Sequence, residues 1–210
     1  MRLLKHGLFA ALGLLAAACH AADPADAYVE GKNYRVAATP VKQDNPKRIT
    51  VEEFFWYGCP HCYHLEPEVD AWLKHKPADV DFVRVPNTLG RPIGELHQRA
   101  FYIAEALGIL DKTHRPLFDA IHAQGFPMST LESIRDLYVE KGGIKPEQFD
   151  ADAHSFVVEN NMRRADDLAA AYGITGTPTF VVGGKYVVDA QNDVLKVVDA
   201  VIAKVRKERK

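Results

Sequence analysis

The sequence predicts an α/β protein: one mixed sheet whose chain is interrupted by a long helical segment. Three observations lead there. Residues 49–85 read strand, helix, strand. Residues 92–173 lose the strand signal and turn to helical periodicity. Residues 173–188 return to strands, across a Gly-Gly turn. With 210 residues and 47% hydrophobic content, the chain can bury one sizeable core, or a core and a smaller subdomain.

The N-terminus precedes the fold. MRLLKH carries fixed positive charge, GLFAALGLLAAA is apolar and uncharged, and small residues follow. These are the three parts of a secretory signal peptide, and the apolar run is short for a membrane span. Residues 1–21 are expected to be removed by cleavage after Ala21. Cleavage after Ala18 is the alternative. It exposes Cys19 as a lipid-anchored N-terminus, although Ala16 stands where such sites usually carry leucine. Losing residues 1–21 removes Arg2 and Lys5 and no acid, so the charge becomes 24 minus 28, or −4. A mildly acidic chain without a basic block is a poor nucleic-acid binder.

Residues 34–38 suggest a short strand and 44–48 a turn. Residues 49–58, rich in β-branched and aromatic types, read as a buried strand. Alternation sends the neighbours Glu52 and Glu53 to opposite faces. A helix follows from Pro60, with Leu65, Val69 and Trp72 on one face; Pro67 is expected to kink or interrupt it. Residues 80–85 form the second strand, parallel to the first by the usual rule for this connection. Helices are expected over 95–108, 114–125 with Pro116 near its start, and 129–139. One or two more fill 146–173, and helices are expected on both faces of the sheet, with the block lying over one edge. Residues 179–182 and 185–188 form a hairpin, and 192–210 an amphipathic closing helix.

The chemistry lies in FFWYGCPHCYHLEP, residues 54–67. Three cysteines are present, and the processed form would keep Cys59 and Cys62. A loop this short makes a poor stabilising staple. Structural zinc usually needs four ligands, and no second CxxC is present; His61 and His64 are too close for the common spacing, and the other histidines read as surface or packing residues. No metal is expected. Electron exchange has positive support: Cys59 lies where strand meets helix, so its thiolate would face unpaired N–H groups and the positive end of the helix. That lowers its pKa and makes it a good leaving group. Cys62, one turn on, would be covered and resolve a mixed disulfide. Pro60 and His61 complete the pair, His61 favouring the thiolate when protonated.

This stretch, in its β-α-β setting, resembles the thioredoxin superfamily, and CPHC followed by Tyr63 resembles the DsbA-type oxidoreductases within it. The resemblance implies a thioredoxin-like fold with an inserted helical subdomain, divided as 34–91, 92–173 and 174–210. It implies a cis-proline loop at Thr177-Pro178, beside the cysteines and able to pair with extended substrate. It makes Glu53 a buried acid that serves proton transfer at Cys62. The family often pairs that acid with a lysine on the next strand; residues 80–85 carry Arg84 and no lysine. Trp56, Tyr63, Pro178 and Phe180 lie near the disulfide in the motif frame, although Trp56 and Phe180 taken singly read as core.

The resulting expectation is an exported, monomeric thiol oxidase with no bound cofactor. Its partners would be reduced or unfolded exported proteins and a DsbB-type inner-membrane partner that reoxidises it. A disulfide reductase or isomerase is the nearest alternative. A chaperone or binding module with an inert disulfide is the alternative of another class.

Overall fold

A computed structural model describes residues 28–43 and 45–209. The expected signal peptide and Cys19 lie outside the described residues. Among those described, no helix is long and apolar enough to cross a membrane.

Among the described residues five strands form one sheet: β1 (Arg35–Val36), β2 (Ile49–Phe55), β3 (Val80–Pro86), β4 (Thr179–Val182) and β5 (Tyr186–Asp189), in the order β1-β5-β4-β2-β3. β2 and β3 pair in parallel, with Glu53 opposite Arg84. β4 runs antiparallel to β2 and to β5, and β1 antiparallel to β5. The β4–β5 turn works because Gly183 and Gly184 both take positive φ, which costs glycine little; Lys185 N then donates to the Val182 carbonyl at 3.2 Å.

Among the described residues seven helices surround the sheet. α1 (Pro60–Leu73) and α7 (Val194–Glu208) pack on one face through Val69, Val197, Val198 and Val201, against Ile49, Val51, Phe180 and Val182. The block between β3 and β4 comprises α2 (Pro92–Ala106), α3 (Leu110–His122), α4 (Leu131–Gly142), α5 (Pro146–Asp152) and α6 (Phe156–Tyr172). It packs on the other side through Tyr172, against Phe54 and its neighbour Val85, while its Phe101 and Phe118 close on Phe55 at the end of β2. Burying each such large apolar side chain contributes about 1.5–3 kcal/mol. Thr130 and Ser155 cap α4 and α6 by accepting from Ser133 N and Val158 N, and Gly143 and Gly173 end the same helices in the left-handed region.

Several expectations are corrected. The block covers a face of the sheet rather than only an edge. With both faces roofed, Glu52 and Glu53 are both buried. α1 runs through Pro67 without a break; the proline forfeits only the N–H bond to the Tyr63 carbonyl. α3 starts at Leu110, so Pro116 lies inside it rather than near its start. The first strand shrinks to two residues.

Candidate active site

Cys59 is the N-cap of α1, with extended backbone, and Pro60 opens the helix where no N–H is needed. Its own N–H donates to the Trp56 carbonyl at 2.9 Å, which fixes the turn out of β2. Gly58 permits that turn: a Cβ there would lie 2.2 Å from the Trp56 ring. The ring is half-buried and carries the Arg91 guanidinium 5.3 Å from its centroid.

Both cysteines are buried free thiols, Cys59 at 7% exposure and Cys62 at 0%. Their proton affinities diverge. A hydrogen bond from the Cys62 thiol lowers Cys59 to about 5, against the opposing pull of burial, and Thr177 and the backbone N–H groups of Cys62 and His61 add to the effect. Burial pushes Cys62 far above the thiol range; its bond to Cys59, the negative charge there and Glu53 push the same way.

The Thr177–Pro178 peptide is cis. It sets the Thr177 carbonyl 3.3 Å from Cys59 Sγ, where the thiol form donates to it. A carbonyl favours the protonated sulfur. The Thr177 hydroxyl favours the anion: strictly it has no hydrogen-bond partner among the described residues, yet it is buried within electrostatic reach of Sγ. Pro178 is buried and His61 exposed at the rim. His61, Pro178 and residues 190–192 line an open cleft of about 570 Å³ beside the cysteines.

Glu53 is fully buried, and burial raises its carboxyl to about 8, against the attraction of Arg84, whose Nε lies 3.5 Å away. Arg84 thus occupies the place for which the resemblance supplies a lysine. It also reaches Glu66 at 3.1 Å and Asp70 at 3.8 Å. Sequence reasoning missed Glu66 and His114, which meet at 3.4 Å in the same buried cluster. The signal available was a charged residue on the Val69 face of α1, three positions before it. Phe180 is core, at 0% exposure. The half-buried Tyr63 stays near the rim, stacked on His122 and donating to Asp119 at 3.0 Å. Among the described residues, no group of three or more His, Cys, Asp or Glu is placed to hold a metal ion.

A sheet of this topology, with a dithiol at the mouth of its first long helix and a cis-proline loop against it, defines the thioredoxin-fold thiol:disulfide oxidoreductases. The comparisons narrow the class. Residues 50–198 match the DSBA-like thioredoxin domain, and the chain belongs to that family. It is 40% identical over 187 residues to the thiol:disulfide interchange protein DsbA of Pseudomonas aeruginosa, covering 87% of this chain and 88% of that one. The DsbA of Azotobacter vinelandii is 41% identical over 163 residues, covering 78% and 75%. Among solved structures, P. aeruginosa DsbA superposes with a TM-score of 0.79 at 37% identity, covering 88% of this chain and 96% of that one. The oxidoreductase DsbA of Xylella fastidiosa gives 0.80 at 30%, covering 86% and 98%.

Proposed function

We infer that the protein is a thiol:disulfide oxidoreductase that donates its Cys59–Cys62 disulfide to reduced exported proteins. The carrying observation is the divergence of two thiols one helical turn apart, one held as an anion near neutral pH and the other held protonated. A substrate thiolate attacks Cys59 Sγ and the Cys59–Cys62 bond breaks. Cys62 leaves as a thiolate and takes a proton, for which buried Glu53 is the donor at hand. A second substrate thiolate then attacks the substrate sulfur of the mixed disulfide, and Cys59 leaves as its stabilised anion. Two electrons have passed to the protein, and the substrate carries the disulfide.

Pro60 and His61 shape the mouth of the helix. Thr177 and Pro178 offer a main-chain edge on which an extended substrate pairs beside Cys59. The protein works as a monomer in the periplasm, and a DsbB-type inner-membrane partner returns the dithiol to the disulfide. Incubating the oxidised protein with a reduced, unfolded secreted protein tests the reading. With a disulfide-bonded secreted protein in place of the reduced one, Cys62→Ser should accumulate a mixed disulfide, its Cys59 thiolate attacking the substrate disulfide and releasing one substrate thiolate, and Cys59→Ser should trap nothing. Equal trapping by both variants would refute the assignment of roles.

A further inference from the structure

His114 lies on α3, 8% exposed, among the rings of Phe55, Phe101 and Phe118. The charged and titratable groups facing it are Tyr57 from the turn after β2, Glu66 and Asp70 from α1, and Arg84 from β3. The Tyr57 hydroxyl is 2.8 Å from Nδ1. Tyr57 is fully buried, and burial holds its phenol well above the ordinary range, so it keeps its proton and donates. Nδ1 therefore accepts, and the neutral ring carries its proton on Nε2. Nε2 faces Glu66 Oε2 at 3.4 Å, a polar contact just beyond hydrogen-bond geometry. The same oxygen accepts from Arg84 Nη2 at 3.1 Å, while Arg84 Nε stands 3.5 Å from Glu53. One guanidinium is thus divided between two buried carboxylates, and the imidazole leans on one of them.

We propose that His114 is a positioning residue for disulfide exchange: its Nε2–H steadies the Glu66 carboxylate, and so sets how firmly Glu53, which shares Arg84 with Glu66, holds its proton. The inference rests on the reading of Glu53 as the proton-transfer group at Cys62. Ionising Glu53 places two carboxylates on one fixed cation. The His114 N–H spreads the charge of Glu66 and leaves more of Arg84 for Glu53. Without that donor, the pair holds its last proton to a higher pH.

The test loads glutathione on Cys59 and follows its release, by attack of Cys62, as a function of pH. With Glu53 as the base, the rate rises through the Glu53 inflection, near 8. His114→Leu should move that inflection up by about 0.5–1 unit and slow release at pH 7 by roughly three- to tenfold, the size of one donor–carboxylate contact. His114→Gln, whose amide N–H reaches the place of Nε2, should bring it back. Glu53→Gln should abolish it. An inflection that persists in Glu53→Gln overturns the Glu53 reading and this inference with it. If Glu53→Gln loses the inflection but His114→Leu leaves it in place, or Leu and Gln shift it equally, the role of His114 alone is refuted. Should His114→Leu fail to fold, the imidazole ¹⁵N shifts of the unaltered protein decide. An Nε2–H tautomer whose shift steps at the Glu53 inflection supports the proposal, and an Nδ1–H tautomer, or no step, overturns it.

Discussion

Lowering the pH from 8 to 4.5 should reverse which redox form of the protein is the more stable. The perturbation acts on Cys59, which is only 7% exposed and titrates at about 5 in the fold against 9.0 for an ordinary thiol. A depressed folded-state pKa contributes stability that is complete above the unfolded value and is lost as pH falls through the folded one. At pH 7 the thiolate stabilises the dithiol form by about 3 kcal/mol, and below pH 5 by almost nothing. Cys62 stays protonated in the fold and almost entirely so in the unfolded chain below pH 8, so it adds little. The disulfide form gains instead from closing a loop of about four residues in the unfolded chain, which contributes about 2 kcal/mol at any pH. The two effects balance at about pH 6.5. The reduced protein should melt higher by roughly 2–4 °C at pH 7 and roughly 4–8 °C at pH 8. The oxidised protein should melt higher at pH 4.5. Paired thermal melts of both forms across this range measure the difference. A gap that does not change with pH, or an oxidised form that stays the more stable at pH 8, would refute the reasoning.

Three further outcomes follow from the same geometry. Alkylation of the reduced protein should have its midpoint near pH 5, from Cys59 alone, and Cys59→Ser should remove the reactivity, as read by mass spectrometry. Thr177→Val, which keeps the shape and removes the hydroxyl, should raise that midpoint by about half a pH unit. Gly94→Ala should lower stability by about 2–3 kcal/mol in denaturant melts, because its Cβ would meet the Thr88 carbonyl oxygen at 2.1 Å.

The parts of the molecule legible in the sequence are those specified by neighbours along the chain. Cys59 at a strand-to-helix junction, the Gly183-Gly184 turn and the periodic helices each carry a local signal. Residues brought together from afar were not legible. Glu66 on α1, Arg84 on β3, His114 on α3 and Tyr57 after β2 become one cluster only when four segments pack. Within a short window only Glu66 is marked, as a charge on the Val69 face of α1; Arg84 stands out through the family resemblance alone, and nothing local marks His114 or Tyr57 as part of the cluster. The burial of both Glu52 and Glu53 was not legible from alternation for a related reason: alternation gives the face of a sheet, and the roof over each face comes from distant helices. Pro116 misled because proline at a first helical turn and proline inside a helix look alike until the preceding turn, Leu110–Thr113, is seen to be helical.

The central claim is that a stabilised Cys59 anion makes the disulfide easy to give away. Equilibrating the pair in glutathione buffers at pH 7, then trapping and counting both forms, tests it most directly. The account predicts a half-reduced point above about −200 mV, where structural disulfides, which fall below about −300 mV, are intact. A half-reduced point near or below about −270 mV, in the range of a reducing dithiol, would contradict it.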